Sequence, residues 1–405
     1  MAALKYWVWL STAKGLSNHS RWLLLEHFSS PEDIYYAEPE QLRLVEGLTA
    51  SQLEALENKS LDRAQQILET CAEKEIFVLT AQDAAYPNRL RSIYDAPILL
   101  YGRGAMPLFD DEATIAMVGT RSCTPYGIQA AEQLGYELGR QGAIVVSGLA
   151  KGIDAAAHRG ALRGGGFVAG VLGCGVDVIY PESSRRLYED VAATGVLLSE
   201  YPSGTPPERS HFPERNRIIS GLSLGVVVVE APERSGALIT ANMALEQGRD
   251  VFAVPGPIYA DSSRGCNQLI REGAGLVMDG WDVLEGYQSR FPHRLHCDKT
   301  RLPKLPEDGR GAEQEQPARP VEEEKLPVLD LRKDTAGLTD DQIRILRILN
   351  AQEGKLTDDV AVETDLPVRR VLSALTVLEI DGYIRQQSAR RFVRTVELKE
   401  IEKEG

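Results

Sequence analysis

The chain has 405 residues, of which 43% are hydrophobic and 26% charged, and 45 Lys plus Arg against 59 Asp plus Glu give a formal charge of -14. These values fit a globular chain of about two to four domains and exclude global disorder and collagen-like repeats. The bulk charge also argues against a nucleic-acid binder, because phosphate affinity comes from clustered cations, but a net figure does not say where the charges sit.

The five cysteines, Cys71, Cys123, Cys174, Cys266 and Cys297, are odd in number and contain no C-x-x-C pair. That pattern argues against a disulfide framework or a zinc ribbon and points to a reducing cytoplasm. No run approaches the ~20 apolar residues of a membrane span, so no membrane association is expected. His293, His296 and Cys297 form an isolated cluster without a second ligand group, and no metal is expected there.

Residues 1–105 read as a compact helical module of the SAM-like or helix-hairpin-helix class. Trp22 to Leu25 with Phe28 fit a buried helix face, Ser30-Pro31 restarts a helix near Glu32 with Ser30 as its N-cap, and Gly47-Leu48-Thr49 precedes another. Such a module either touches DNA backbone or packs on a neighbour.

Residues 106–290 change character. Short apolar tracts recur at 114–118, 143–147, 167–172, 196–199, 226–229, 251–254 and 276–278, separated mostly by segments of helical periodicity. Strand–helix alternation with near-continuously apolar strands predicts an extended Rossmann-like, doubly wound parallel sheet in an α/β domain. Ligands bind such sheets at the carboxyl ends of the strands, which directs attention to the residues after each tract.

Residues 291–335 read as a disordered linker, with Pro303, Pro306, Pro317, Pro320 and Pro327 among mixed charges and an acidic run at Glu322-Glu323-Glu324. Residues 336–397 return to order. Thr339 caps a first helix, a second spans 355–362, a third follows Asp365-Leu366-Pro367, and 383–385 with 391–393 form a two-stranded wing. Three helices and a wing make a winged-helix pattern.

The first tract ends Val118-Gly119-Thr120-Arg121, and Thr124-Pro125 then opens a helix. Free N–H groups, a positive dipole end and a guanidinium would make an anion site; an ordinary turn with a surface Arg is the alternative. The second tract leads into Ser147 to Asp154, where Lys151 offers a point charge and Asp154 is either a cap or functional. His158 and Cys174 read as structural. The third tract gives only Gly173-Cys174-Gly175, weak support for a dinucleotide. After the fourth, Arg209, His211, Phe212, Arg215, Asn216 and Arg217 fall within nine residues. A cationic groove with an aromatic platform suits single-stranded nucleic acid, each base stack contributing roughly 1–3 kcal/mol; the alternative tucks Phe212 into the core. No HExxH, GxSxG or Walker A pattern occurs, so no catalytic residues and no cofactor are expected.

Read in order, Gly119 to Arg121, Ser147 to Asp154, Gly173 to Pro181, Ser199 to Tyr201, His211 to Arg217, Ser235 to Thr240, Val254 to Gly256 and Gly265 to Ile270 resemble the DNA-processing protein A (DprA/Smf) family, most densely over residues 85–280. The resemblance implies a cytoplasmic, non-enzymatic protein that binds single-stranded DNA in natural transformation (competence), protects it and helps load a RecA-type recombinase. It also implies a homodimer through the Rossmann domain and a single-strand-binding protein as a further partner. By motif, Gly119 and Thr120 are DNA-binding positions, Arg121 contacts phosphate, Arg209 takes a basic position, Phe212 holds a base, and Arg215, Asn216 and Arg217 continue the groove, with Lys151 as a further contact. Glu182 departs from relatives with lysine there, leaving Arg185 and Arg186 to supply charge. The dimer and recombinase surfaces fall loosely within 240–280.

Two other readings stay open on the residues alone. Ser235 to Thr240 partly echoes nucleotide-binding Rossmann enzymes of the phosphoribohydrolase type, and the winged helix would suit a transcriptional regulator. Over residues 338–395 the nine cations are matched by nine acids, so that unit either makes auxiliary DNA contacts or meets protein.

Overall fold

The computed structural model describes residues 3–296, 328–330, 338–350, 355–387 and 391–399. They form two compact units that divide near residue 308. The proline-rich stretch with Glu322 to Glu324, and also Cys297 and Arg390, lie outside the described residues. No helix among the described residues is long and apolar enough to cross a membrane.

The first unit opens with six helices: α1 (Leu4–Thr12), α2 (Asn18–His27), α3 (Pro31–Tyr36), α4 (Pro39–Leu42), α5 (Ala50–Glu57) and α6 (Asp62–Glu73). Their starts follow the capping chemistry in the sequence. Ser30 accepts the Asp33 N–H ahead of Pro31, and Thr49 accepts from Gln52 while the Gln52 side chain returns to the Thr49 N–H. The helical reading of 1–105 is incomplete, however. Within it lie β1 (Phe77–Thr80), α7 (Asn88–Arg91) and β2 (Leu99–Gly104). β1 pairs antiparallel with β2, which pairs antiparallel with β6 (Val196–Ser199). Residue 105 therefore does not separate two packing units; the helices and the sheet share one hydrophobic core from Trp7 to Leu295.

The remaining strands are β3 (Thr114–Val118), β4 (Ile144–Ser147), β5 (Val168–Leu172), β7 (Gly225–Val228), β8 (Asp250–Ala253) and β9 (Gly275–Leu276). Each falls on one of the apolar tracts, and β3 to β7 are buried along their whole length because helices cover both faces. The nine strands lie in the order β1-β2-β6-β5-β4-β3-β7-β8-β9, parallel from β6 to β9. The chain steps outward from β3 to β6 through α8 (Pro125–Arg140), α9 (Ile153–Arg163) and α10 (Arg185–Thr194). It then returns to the other side of β3 through α11 (His211–Gly221) and continues with α12 (Gly236–Glu246), α13 (Arg264–Arg271) and α14 (Gly280–Leu284). Right-handed crossovers in opposite directions put α8 to α10 and α11 to α13 on opposite faces, and α14 comes back to pack on α8, where the Gly280 N–H is donated to Glu137. The loops after β3 and β7 consequently diverge and leave a crevice at the strand ends. Phe291 and Leu295 belong to this core and Arg294 pairs with Glu112, so the ordered chain runs past residue 291, where the linker was expected to begin.

The second unit has its own core around Ile345, Val360, Val371, Leu375, Leu378 and Phe392. β10 (Val328–Asp330) pairs with β14 (Glu397–Lys399), and α15 (Asp340–Ile348), α16 (Thr357–Thr364) and α17 (Val368–Ile380) supply the three helices. Thr339 caps α15 as expected. The wing has three strands rather than two: β13 (Arg391–Arg394) lies between β12 (Ile384–Gln387) and β11 (Lys355–Leu356). Lys355 therefore starts a strand, not a helix.

Candidate nucleic-acid interface

A cavity of about 620 Å³ occupies the crevice between β3 and β7 and draws its walls from the loops after β3, β4, β5, β6 and β7. The floor is set by backbone fit. A Cβ on Gly119 would fall 2.5 Å from the Ile153 side chain. Gly152 has φ of +87°, and a Cβ there would sit 2.5 Å from the Thr120 carbonyl. These glycines let the loop after β3 rest against the start of α9.

The start of α8 is occupied from within. Thr124 donates its N–H and its hydroxyl to the buried Glu230 carboxylate, each at 2.8 Å, and the Thr120 N–H is donated to the Glu230 carbonyl at 2.8 Å. An anion site built on free N–H groups at this helix is therefore not what the structure presents; Glu230 already supplies the negative charge that the dipole favours. The attraction for an anion at this loop rests on the exposed Arg121 side chain.

Arg121 lies over the Phe212 ring, with its guanidinium carbon 4.9 Å from the centroid. Tyr180 approaches the same ring at 5.6 Å between centroids. Phe212 is half-buried and lines the cavity, so it is not tucked into the core. Arg209 and Asn216 line it as well, and so does Arg234, which follows β7. Arg209 and Arg234 are exposed, and among the described residues neither meets a carboxylate at ion-pair distance. Arg234 does not stand out from sequence, since it precedes the Ser235 to Thr240 motif as a lone charge. The signal that finds it is its place after a strand end.

Other expected contacts are placed differently. Arg215 lines the cavity floor but is only 4% exposed. Its Nη1 donates to the Gly148 carbonyl at 2.9 Å and to the Val171 carbonyl, which bolts the ends of β4 and β5 together. Burial lowers its guanidinium to about 10, against the opposing pull of Asp154, so it remains a cation at neutral pH. Asp154 accepts the Gly148 N–H at 3.1 Å, and burial raises its carboxyl. Arg217, expected in the groove, turns away from the cavity and is held by Glu200 at 2.6 Å and Asp95 at 3.2 Å. Lys151 is exposed but outside the cavity lining. Arg185 is tied to Glu182 at 2.6 Å, so it adds little net charge at that edge, whereas Arg186 stays exposed.

His211 and Tyr201 stack at 3.9 Å, and the His211 Nδ1 lies 3.1 Å from the Gly173 carbonyl, fixing the first turn of α11 against the loop after β5. His158 is fully buried in α9, and burial lowers its ring to about 4. Cys174 is buried and its thiol is pushed up to about 11 by that burial, unsuited to a nucleophile.

Comparison with known proteins places this cleft in context. The family model described as DNA recombination-mediator protein A matches residues 77–288, and that of the DprA winged helix domain matches residues 313–390. The chain is 35% identical to Protein Smf of Synechocystis sp. over 96% of its own length and 98% of that protein. It is 48% identical to DNA processing protein DprA of Streptococcus pneumoniae over 51% of this chain and 72% of the relative. The X-ray structure of DNA processing protein A from Streptococcus pneumoniae superposes with a TM-score of 0.62 at 38% identity, covering 69% of this chain and 97% of that one.

Proposed function

The chain belongs to the DNA recombination-mediator protein A family, and from that premise we propose that it binds single-stranded DNA in the crevice between β3 and β7. The observation that carries this reading is the set of exposed arginines, Arg121, Arg209 and Arg234, disposed around the Tyr180–Phe212 pair. Cations track phosphates and an aromatic face takes a base of any sequence, which is the chemistry of a single strand rather than a paired duplex. Asn216 offers an amide to a base or sugar, and Gly119 and Thr120 shape the floor. Arg215 holds that floor from beneath. The role is that of a recombination mediator in natural transformation, which protects incoming strands and helps load a RecA-type recombinase, with a single-strand-binding protein as a further partner; it involves no catalysis.

A homodimer through the Rossmann domain belongs to this reading. β9 is an edge strand, and Met278 just beyond it is 80% exposed. An unpaired apolar edge is a ready template for a second copy. Met278→Glu should convert the dimer to monomer by native mass spectrometry, and an unchanged mass would move the interface elsewhere.

Competition between single- and double-stranded oligonucleotides for the purified protein tests the main reading. Single strands should win by at least tenfold. Equal affinity, or preference for one duplex, would favour a regulator instead.

A further inference from the structure

α11 has two faces. Phe212, Asn216 and Ile219 line the cavity. Arg217, five residues beyond Phe212, lies about 140° around the helix axis. Its side chain is 11% exposed, and it is the centre of a polar network on the far side. Its Nη2 donates to Glu200 and its Nε to Asp95. Glu200 follows β6, while Asp95 lies in the loop ahead of β2. The other Glu200 oxygen accepts from the side-chain amide of Asn18, the buried first residue of α2. Arg21, one turn later, donates to the Asn18 side chain at 2.9 Å, and Gln247 after α12 donates to the Arg217 carbonyl at 3.1 Å. Residues from 18 to 247 thus join one network, in which Glu200 and Asp95 hold the Arg217 guanidinium directly.

Stability alone does not account for such a network. Taking ions out of water costs nearly as much as their pairing returns, and apolar side chains would hold these elements together as well. An ion pair differs in fixing geometry, since a guanidinium gripped by two carboxylates permits one helix position. Burial works against the Arg217 charge, but Glu200 and Asp95 outweigh it and hold the guanidinium above its ordinary range.

We infer that the Asn18–Glu200–Arg217 chain is a positioning device through which the N-terminal helical module sets the angle at which α11 presents Phe212 and Asn216 to the strand. It rests on the single-strand reading of the cavity and deepens it. The module then contributes to binding without touching DNA, and Arg217 is a positioning residue.

Charge and position predict opposite signs. Glu200→Gln removes a negative charge near a polyanion, so by charge alone it should tighten binding. As a positioning residue its loss should weaken binding. Affinity for oligo-dT should fall about 5- to 20-fold in Glu200→Gln and in Asn18→Ala. The salt slope should be unchanged, because no phosphate contact is lost. The penalty of Phe212→Ala should shrink in the Glu200→Gln background. Amide hydrogen exchange over 211–217 should quicken in both variants without DNA. Asn18→Ala keeps the ion pair and provides the test if Glu200→Gln does not fold. Wild-type affinity or better in the variants, or a slope reduced by about 0.7 in Arg217→Gln, would overturn the inference. So would unchanged exchange over 211–217, which does not depend on DNA. Failure of the wild-type protein to bind oligo-dT would instead overturn the single-strand reading.

Discussion

The crevice at β3 and β7 and the outward side of α17 in the winged-helix unit both carry arginines beside apolar side chains, but they treat charge in opposite ways. In the crevice, Arg121 covers an aromatic face, and among the described residues Arg209 and Arg234 meet no carboxylate at ion-pair distance. On α17, Arg370 is held by Asp341 at 2.7 Å, and the neighbouring exposed side chains are Val368 and Leu372. In the wing, Arg394 donates to the Leu346 carbonyl at 3.2 Å rather than outward. A helix that reads a duplex needs donors aimed at base edges and cations at phosphates. α17 offers Arg369 and an exposed apolar stripe, Val368 and Leu372. Nine cations against nine acids thus have a different meaning in that unit from the -14 of the whole chain. In the winged helix Asp341 and Glu363 neutralise Arg370 and Lys355, whereas the acids of the crevice, Asp154 and Glu230, are buried and leave its exposed arginines unpaired among the described residues.

The largest effect should come from reversing the crevice charge. Arg121→Glu combined with Arg209→Glu should weaken single-strand binding roughly 100-fold or more and lower the salt slope by about 1.4, two phosphates' worth. Gel-shift titration at several salt concentrations reads both. Unchanged binding would erase the contrast between the two regions. Phe212→Ala comes next, at about 5- to 150-fold from the loss of a stack of roughly 1–3 kcal/mol, with the salt slope intact because no charge is removed. If the slope changed as well, the ring would be acting through Arg121, which it holds at 4.9 Å. Arg234→Gln should cost roughly threefold to tenfold and about 0.7 of slope, as a single phosphate contact does. No change there would confine the strand to the β3 and β6 side of the crevice.

How much of this the sequence discloses depends on the kind of information needed. β3 and β6 can be placed to the residue, since buried parallel strands read as apolar runs bounded by Gly, Ser or Pro. β1 and β2, Phe77 to Thr80 and Leu99 to Gly104, are antiparallel and only partly buried, and they sit among helical signals. Their membership in the sheet is a long-range pairing that no local pattern carries. In the site, composition reveals that cations and an aromatic ring gather after β6. It does not reveal which way each side chain faces. His211 to Arg217 reads as one cationic groove, yet the helix distributes it: Phe212 and Asn216 to the cavity, Arg215 to the floor, Arg217 to the far side. The acids that claim Arg217 are Asp95 and Glu200, 122 and 17 residues away. Only the fold brings the first of them near.

The smallest effect should be that of Arg369→Gln with Arg370→Gln on α17. Arg370 already spends its charge on Asp341, and an exposed ion pair of this kind contributes only about 0–1 kcal/mol. Removing both cations should therefore leave single-strand affinity within about twofold and the salt slope unchanged. The double variant is informative because it takes away as many positive charges as the crevice variant reverses sites. If binding answered to the chain's total charge, it would make a chain of -14 more acidic and weaken association measurably. If binding answers to place, nothing should happen, because screening confines each charge to about 10 Å at ordinary salt. A tenfold loss would mean that α17 lies on the DNA path and that its apolar stripe needs another explanation. An unchanged affinity would leave that stripe, Val368 and Leu372, as the part of the second unit to challenge next with a charged substitution against protein partners.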